Sequence, residues 1–283
     1  MKTVLQILPS LDKINGGVER GTLDIARELA NREYNSVIIS SGGEMADRYK
    51  YKGVTHHEIQ LNKKGLINFL SSRGKFKKLL DDIKPDLVHV RSRWPSFCFT
   101  SEIKKRKIPY VTTYHGTYSG NQNFLKRSYN KVMTNGDKII SISKFIDDHI
   151  RFFFPEFKNK LVQINRGIDT ENFNLNSVSQ VRKEKLLSEL SILEGSHIIL
   201  LPGRLSSWKG QNVGIDALAY VLKKNPNLNI VMLLVGSEDK NEKFTKKLKK
   251  KLKKLKLNDR VIFCGNISDI AAVYSISDII LST

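Results

Sequence analysis

Residues 197–211, HIILLPGRLSSWKGQ, form the most specific pattern of strand, loop and helix start in the sequence. His197–Pro202 is an apolar run with the length of a buried strand, and a loop separates it from a helical pattern that begins near Asn212. The loop carries Arg204 and Lys209, five residues apart. Two cations beside the amides of a helix N-terminus are suited to clamp a pyrophosphate, because they stabilise the charge that grows on a departing diphosphate. A pair of solvated surface cations is the alternative.

Short β-rich segments alternate with helix-length amphipathic segments through the whole chain. Parallel strands joined by helical crossovers produce this pattern, so the sequence predicts an α/β fold. Further strands are expected at Thr3–Leu8, Ser36–Ser40, Asp86–Arg91, Tyr110–Tyr114, Lys138–Ile142, Leu161–Asn165, Asn229–Val235, Val261–Cys264 and Asp278–Leu281. Helices are expected near Val18–Asn31, Gly65–Asp82, Ser96–Lys107, Phe124–Thr134, Asn212–Lys224, Lys240–Leu255 and Ile270–Ser275. A polar segment from Arg166 to Val178 predicts two domains, 1–170 and 171–283.

The composition is that of a globular protein with a strong basic excess. The 283 residues are 40% hydrophobic and 27% charged, and no apolar run approaches the roughly 18 residues of a membrane-spanning helix. Cys98 and Cys264 form no C-x-x-C pair, which argues against a disulfide framework and fits a reducing cytoplasm. The formal net charge of +20 attracts polyanions and anionic lipid surfaces, and biased genome composition is a second explanation of it.

Several α/β chemistries lack their motifs in this chain. There is no G-x-x-x-x-G-K-[ST] phosphate loop and no G-x-G-x-x-G after the first strand, which argues against an NTPase or a dinucleotide dehydrogenase. There is no D-x-D pair to anchor a metal-dependent nucleotide-sugar site. The histidines show no H-E-x-x-H or comparable spacing, so a zinc site is not expected.

Two strand ends in the first half carry candidate binding residues. Gly16 and Gly17 follow the first strand and open a helix, where the bare backbone allows a phosphate or a hydroxyl to approach. A tight turn without a ligand is the alternative. His115, in the sequence YHGTY, follows the strand Tyr110–Tyr114. Ligands of open α/β sheets collect at carboxyl strand ends, so His115 is the preferred polar contact to a substrate, and a loop histidine without a ligand is the alternative.

Two basic amphipathic segments are candidates for contact with anionic surfaces. Phe244, Leu248, Leu252 and Leu255 recur at helical spacing beneath a lysine-covered face, which favours a solvated crossover helix over a membrane or nucleic-acid contact. The segment from Gly65 to Lys84 is the better candidate for anionic lipid. Its cations include Lys75, Lys77 and Lys78.

Six motifs, taken in order, relate the chain to one enzyme family. They are GGVE, VTTYHGTY, SISK, NRGID, GRLSSWKGQ and DIILS. With them the whole chain resembles the retaining glycosyltransferases of family four. The resemblance implies a GT-B fold, with two Rossmann-like domains that face each other across a cleft. It places the acceptor mostly on the first domain and a nucleotide diphosphate sugar on the second, with no required metal and no other cofactor.

The same resemblance implies roles for the candidate residues. Gly16 and Gly17 would lie near the donor phosphate and the acceptor, His115 near the transferred sugar, and Arg204 and Lys209 on the diphosphate. The nucleotide base pocket would be lined through the backbone of one segment, which contains Val261, Phe263, Cys264 and Gly265.

Finer expectations come from the motif variants and from the end of the chain. RSRWP, YHGTY and Arg-Gly-Ile-Asp resemble bacterial members that build lipopolysaccharide or other surface polysaccharide. The expected activity is a retaining hexosyl transfer to a saccharide or glycolipid, in the cytoplasm and at the inner face of the cytoplasmic membrane. The family's E-x7-E glutamate pair would lie beyond Thr283. The expectation is therefore a C-terminally truncated enzyme, with an incomplete second domain and little turnover.

Two other classes of function stay open from the sequence. A nucleotide-sugar epimerase with the GT-B fold would release nucleotide and sugar without an acceptor. A non-enzymatic basic protein would use the +20 charge to bind nucleic acid. No aromatic-studded basic groove is evident, so specific nucleic-acid binding is not expected.

Overall fold

The chain folds into two compact units, Met1–Gly167 and Ile168–Thr283. The structure is a computed structural model, and it describes residues 1–12, 17–238 and 243–282. The sequence predicts the domain boundary between residues 170 and 171, and the structure divides between Gly167 and Ile168.

The first unit is built on a parallel sheet of seven strands. Its strands are β1 (Thr3–Ile7), β2 (Asn35–Ser40), β3 (Val54–Glu58), β4 (Leu87–Val90), β5 (Tyr110–Tyr114), β6 (Lys138–Ser141) and β7 (Leu161–Gln163). Their order in the sheet is β3-β2-β1-β4-β5-β6-β7. The order reverses between β1 and β4, so the chain leaves these two neighbouring strands in opposite directions. Such a reversal opens a crevice at the carboxyl edge of the sheet, where ligands of doubly wound folds bind.

Helices connect these strands. They are α1 (Gly17–Asn31), α2 (Glu44–Arg48), α3 (Leu66–Ile83), α4 (Arg93–Lys105), α5 (Phe124–Lys131) and α6 (Lys144–Phe153). Side-chain caps define two of the starts: Asn123 accepts from the Lys126 amide before α5, and Ser143 accepts from the Ile146 amide before α6. These caps explain why α5 and α6 begin at those residues.

The strand β1 is the centre of the first unit. All five of its residues are buried, which is typical of a parallel strand covered on both faces. On one face Leu5 and Ile7 pack with Phe76 and Phe99, whose rings stack with centroids 4.0 Å apart. This packing holds the carboxyl ends of the central strands in fixed positions.

The second unit contains a smaller parallel sheet. Its elements are α7 (Gln180–Glu189), β8 (His197–Pro202), α8 (Gln211–Lys224), β9 (Ile230–Val235), α9 (Lys243–Leu255), β10 (Val261–Gly265), α10 (Ile270–Ser275) and β11 (Ile279–Ile280). The strand order is β10-β9-β8-β11. The predicted crossover helix is found as α9: Leu248 and Leu252 are buried in the core, and lysines occupy the outer face. Its predicted start at Lys240 lies outside the described residues.

The structure also contains elements that the sequence patterns did not predict. The edge strand β3 reads VTHHE and lacks an apolar alternation, so its pairing with β2 depends on tertiary context. The helices α2, α6 and α7 were also absent from the prediction. The predicted helix Ser96–Lys107 begins earlier, at Arg93, because a proline at position 95 is tolerated within a first helical turn.

Candidate functional site

The candidate residues of the first unit lie at the carboxyl edge of its sheet, where the strand order reverses. The chain segments after β1, β4 and β5 border a cavity of about 330 Å³. Its polar and charged lining residues are Ser10, Glu19, Arg91, Ser92, Arg93, His115 and Tyr118. Of this set, only His115 is predicted as a site residue from the sequence, because most of the other residues come from other strand ends.

His115 is held in one tautomer by Arg166. The Arg166 Nη2 atom lies 3.0 Å from His115 Nδ1, and a guanidinium has no acceptor, so Nδ1 must accept and the ring proton is on Nε2. His115 Nε2 is buried, and within the described part of the chain it has no hydrogen-bond partner. The residue therefore offers one unsatisfied N–H donor at the cavity.

His115 is also kept neutral. Burial lowers the pKa of His115 to about 2, and the neighbouring positive charges of Arg91 and Arg166 contribute in the same direction. A ring with such a low pKa stays uncharged at any physiological pH. His115 in the free protein can thus donate a hydrogen bond through Nε2, but its ring does not take up a second proton.

Arg166 also fixes the start of α1. Its Nη1 atom donates to the Gly17 carbonyl at 2.8 Å, and a Cβ atom on Gly17 would collide with the guanidinium. A larger residue at position 17 would therefore displace the Arg166 guanidinium from this contact. Gly16, the other predicted glycine, lies outside the described residues.

Arg91 follows β4 and is the most deeply buried cation of the cavity, with 4% of its surface exposed. Its Nη1 atom donates to Gln6 Oε1 at 3.2 Å, while its Nε is buried without a partner among residues 1–12, 17–238 and 243–282. Burial, together with the charge of Arg166, lowers the pKa of Arg91 to about 10. Arg91 is still protonated near neutral pH, so a positive charge lies buried at this cavity.

In the second unit, the loops after three neighbouring strands are joined backbone to backbone. The Gly203 amide donates to the Val235 carbonyl at 2.7 Å, and the Gly236 amide donates to the Gly265 carbonyl at 2.8 Å. Gly236 has φ 150°, and a Cβ there would collide with the Gly203 carbonyl. The predicted residue Gly265 is thereby connected, through Gly236, to the loop that begins at Gly203.

Arg204 and Lys209 lie on that loop against one aromatic ring. The Lys209 Nζ is 4.7 Å and the Arg204 Cζ is 5.8 Å from the centroid of Trp208, whose surface is 65% exposed. Gln211 is buried beneath the loop and donates to the carbonyls of Gly203 and Arg204. The loop backbone is therefore anchored, while the Arg204 side chain stays exposed to solvent.

The four predicted base-pocket residues occupy different positions along β10. Val261 lies at the amino end of the strand, buried in the core against α9. Phe263 is half-buried, with the Lys249 Nζ 5.5 Å from its ring centroid, and burial raises the pKa of Cys264 to about 11. Gly265, at the carboxyl end, is the member that the structure brings to the glycine-linked loops.

Three polar residues of these two regions were not recognised as site residues from the sequence: Arg91, Arg166 and Gln211. Arg91 belongs to RSRWP and Arg166 to NRGID, two quoted motifs, so their placement after β4 and β7 was the available signal. In the described ranges, no group of three or more His, Cys, Asp or Glu side chains is arranged to hold a metal ion. Nor does any described helix combine the length and the apolar character needed to cross a membrane.

Family models match both units. The model of Glycosyltransferase Family 4 matches residues 15–172, and the model of Glycosyl transferases group 1 matches residues 182–283. Among solved structures, a glycosyltransferase from Rickettsia africae is 31% identical with a TM-score of 0.86, over 99% of this chain and 72% of that one. HepE of Anabaena, in complex with UDP and glucose, is 21% identical with a TM-score of 0.78, over 100% of this chain and 74% of that one.

Curated relatives match at lower identity. Spore coat protein SA of Bacillus subtilis is 23% identical over 80% of this chain. Alpha-monoglucosyldiacylglycerol synthase of Streptococcus pneumoniae is 25% identical over 73% of this chain. The chain spans 57% and 49% of the lengths of these two relatives.

Proposed function

Because this chain belongs to glycosyltransferase family 4, we propose that it transfers a sugar from a nucleotide diphosphate sugar to a hydroxyl of a saccharide or glycolipid acceptor, with retention of the anomeric configuration. The expected GT-B fold class is confirmed by these matches. The setting we propose is bacterial surface-polysaccharide synthesis, on the resemblance of the RSRWP and YHGTY segments to such enzymes.

The observation that carries the proposal is the buried, unsatisfied Nε2–H of His115 at the first unit's cavity. A neutral donor is suited to a sugar hydroxyl, because it binds an uncharged oxygen without bringing a second charge into the site. His115 then holds the transferred sugar at the acceptor, and Gly17 leaves the start of α1 open to the donor phosphate. The same role is proposed for Gly16.

On the donor side, Arg204 and Lys209 bind the diphosphate. HepE is a structural neighbour that was crystallised with UDP and glucose, and it shares the fold of this chain. Two cations on an anchored loop stabilise charge on the leaving group more than on the bound donor, which lowers the barrier to transfer. The backbone of the β10 segment, with Val261, Phe263, Cys264 and Gly265, lines the base pocket in this proposal.

The proposed chemistry breaks the bond between the anomeric carbon and the diphosphate and forms a bond to the acceptor oxygen on the same face of the sugar. The acceptor proton goes to the leaving phosphate, since neutral His115 in the free protein has a pKa of about 2 and is a poor base. We propose that the reaction needs no metal ion.

The test is an acceptor-dependent transfer assay with a panel of nucleotide diphosphate sugars and saccharide or lipid-linked acceptors, with and without EDTA. We expect release of nucleoside diphosphate together with a product heavier by one hexose, and an anomeric NMR signal that shows retention. Release of nucleotide and free sugar without any acceptor would instead favour the epimerase. Consumption of no donor, whatever the acceptor, would contradict the proposed activity.

An anionic membrane surface is the proposed partner of the acceptor side. The first half of α3, the first half of α4 and the second turn of α5 adjoin each other through Phe69, Phe97 and Tyr129, whose successive ring centroids are 5.9 and 6.2 Å apart. Around them is an apolar–basic surface with large exposed side chains. These are Leu66, Ile67, Leu70, Phe97, Phe124 and Leu125, next to Lys63, Lys64 and Lys126.

Charge favours a lipid surface over a protein as the occupant. No acidic residue occurs between Glu58 and Asp81 or between Glu102 and Asp137, the two segments that supply most of the apolar–basic surface. Apolar side chains enter the interface while lysines bind anionic headgroups. In flotation assays, we expect Ile67→Glu to reduce binding to vesicles that contain anionic lipid. The matched control Leu193→Glu, at an exposed leucine of the second unit, should bind as the wild type does.

A further inference from the structure

We propose that the acceptor carries an oxyanion, either a carboxylate or a phosphate, and that Arg91 binds it in the cavity of the first unit. This inference rests on the proposed transfer function and specifies the chemical class of its acceptor. Arg91 binds a group of the acceptor other than the reacting hydroxyl, because the hydrogen-bond donor assigned to the site of sugar transfer is His115.

Arg91 is a buried charge with no hydrogen bond to a carboxylate among the described residues. Its partner is the neutral Gln6, and its Nε donor has no partner within the described part of the chain. Burial and the positive charge of Arg166 both lower the pKa of Arg91. An uncompensated buried guanidinium is costly, so a site that keeps one is suited to an anion that arrives with the ligand.

The charge balance of the cavity also favours an anionic ligand. Arg91 and Arg93 line the cavity, and Arg166 contacts His115, which also lines it. Among the described lining residues, the acidic one is Glu19. Glu19 acts on Arg166, whose pKa it raises against the effect of burial. Glu19 therefore offsets at most one of three cations, which leaves the cavity positive.

Arg93 is held by two neighbours, whereas Arg91 keeps a buried Nε–H that has no partner among the described residues. Arg93 donates to Asn130 Oδ1 at 2.6 Å, and its guanidinium lies 4.2 Å from the centroid of the Tyr118 ring. These contacts hold the Arg93 side chain in place where it lines the cavity. The Arg91 Nε–H is thus a donor without a partner among the described residues, on a residue that lines the same cavity as His115.

The test titrates the 283-residue protein with three probes at constant ionic strength, by calorimetry. L-malate represents a carboxylate, inorganic phosphate represents a phosphate ester, and UDP represents the donor. We expect saturable binding of L-malate or of phosphate to the wild type, and a loss of affinity on the order of 30-fold or more in Arg91→Gln, because a buried charge-assisted contact is removed. Which of the two anions binds identifies the oxyanion.

Matched controls separate this from a general charge effect. Arg32→Gln changes the net charge equally at an exposed arginine of the same unit and should leave all three affinities unchanged. UDP affinity should be the same in Arg91→Gln as in the wild type. Arg91→Lys keeps the charge, so it should fold and lose a smaller part of the anion affinity.

A variant-independent readout is the ¹⁵N–¹H signal of the Arg91 Nε–H, assigned by its absence from the Arg91→Lys spectrum. The signal should shift on addition of the anion that binds. Three results would each overturn the proposal: neither anion binds the wild type, Arg91→Gln binds the anion as tightly as the wild type, or the substitution weakens UDP alone. The UDP affinity and donor turnover are measured separately, so failure of the proposed transfer function is distinguishable from failure of this inference.

Discussion

The two candidate regions use the same strand-end geometry in opposite ways. In the first unit, the polar side chains themselves are fixed: Arg166 sets the proton on His115, and Arg91 is buried against Gln6. In the second unit, the backbone is fixed through Gly203, Gly236 and Gly265, and the cations lie on the exposed face of Trp208. This difference fits the proposed ligands. A neutral sugar oxygen is bound more tightly by a hydrogen-bond donor that is oriented before binding, whereas a diphosphate is attracted by charge, which depends less on side-chain orientation.

This difference predicts that backbone changes harm the second region most. Gly236→Ala should lower the free energy of unfolding of the second unit by about 3 kcal/mol, because the added Cβ collides with a neighbouring carbonyl at a left-handed φ of 150°. The measurement is chemical denaturation followed by a probe in that unit.

The matched control is Gly195→Ala, also in the second unit. Gly195 has φ 74°, but no described atom lies within 4 Å of a Cβ placed there. The substitution should cost only the strain, about 1 kcal/mol. Equal losses in the two variants would contradict the close approach of the loops.

Side-chain changes in the second region should affect catalysis and leave folding intact. Arg204→Ala and Lys209→Ala should each lower kcat/KM on the order of 10²-fold, as expected for one lost contact to a developing charge. Steady-state kinetics with the donor sugar measure this.

The control is Lys224→Ala, since the Lys224 Nζ lies 4.7 Å from the Tyr220 ring, the same distance as Lys209 from Trp208. That variant should keep wild-type kinetics. Wild-type kinetics in Arg204→Ala and Lys209→Ala as well would refute the assignment of the diphosphate to this loop.

In the first region a single remote side chain should matter. Arg166→Met removes the donor to His115 Nδ1, so the ring is free to adopt the other tautomer, and kcat should fall about 10-fold. Arg166→Lys should restore part of the rate, because an ammonium also donates and cannot accept.

Arg127→Met is the matched control, because Arg127 is an arginine of the same unit that donates to a backbone carbonyl, that of Phe153. Its kinetics should not change. A loss of activity in Arg166→Met that comes with an equal loss in Arg127→Met would indicate a general structural effect.

The smallest predicted effect is on stability at low pH. The folded pKa of His115, about 2, is below the ordinary value of 6.5, so below pH 6.5 the unfolded chain binds a proton that the folded protein does not. Stability therefore falls with decreasing pH, and His115 contributes up to about 1.4 kcal/mol of that loss at pH 5.5.

His115→Gln should remove this part of the acid destabilisation. His89 provides the comparison, because burial also lowers its pKa well below the ordinary value, and its ring bonds to Thr113 Oγ1. The measurement is the free energy of unfolding between pH 7.5 and 5.5. An identical pH dependence in His115→Gln and the wild type would contradict the depressed pKa.

The fold of both units was largely predictable from the sequence, whereas the site of the first unit was predictable only in part. Apolar runs such as β1 and β8 mark buried parallel strands directly, and the glycine-bounded loop after β8 marks a ligand-facing turn. The polar edge strand β3 carries no such pattern, because its side chains are only partly covered.

Arg91 and Arg166 show why the other part of the first unit's site could not be predicted from the sequence. Each looks like an ordinary surface cation in the sequence, and its role comes from side chains that meet after folding: Gln6 for Arg91, and Gly17 and His115 for Arg166. Contacts over such sequence separations have no local signature. Only the placement of both arginines after strands that end at one sheet edge indicated the region.

We infer that the first unit presents one preset, neutral imidazole N–H at its cavity. Long-range ¹⁵N–¹H NMR of the histidine rings in the 283-residue protein measures the position of this proton. We expect His115 Nδ1 to stay unprotonated and Nε2 to stay protonated from pH 8 to pH 5, and Arg166→Met to abolish this constancy. A His115 ring that carries its proton on Nδ1, or that titrates near pH 6.5 in the wild type, would contradict it.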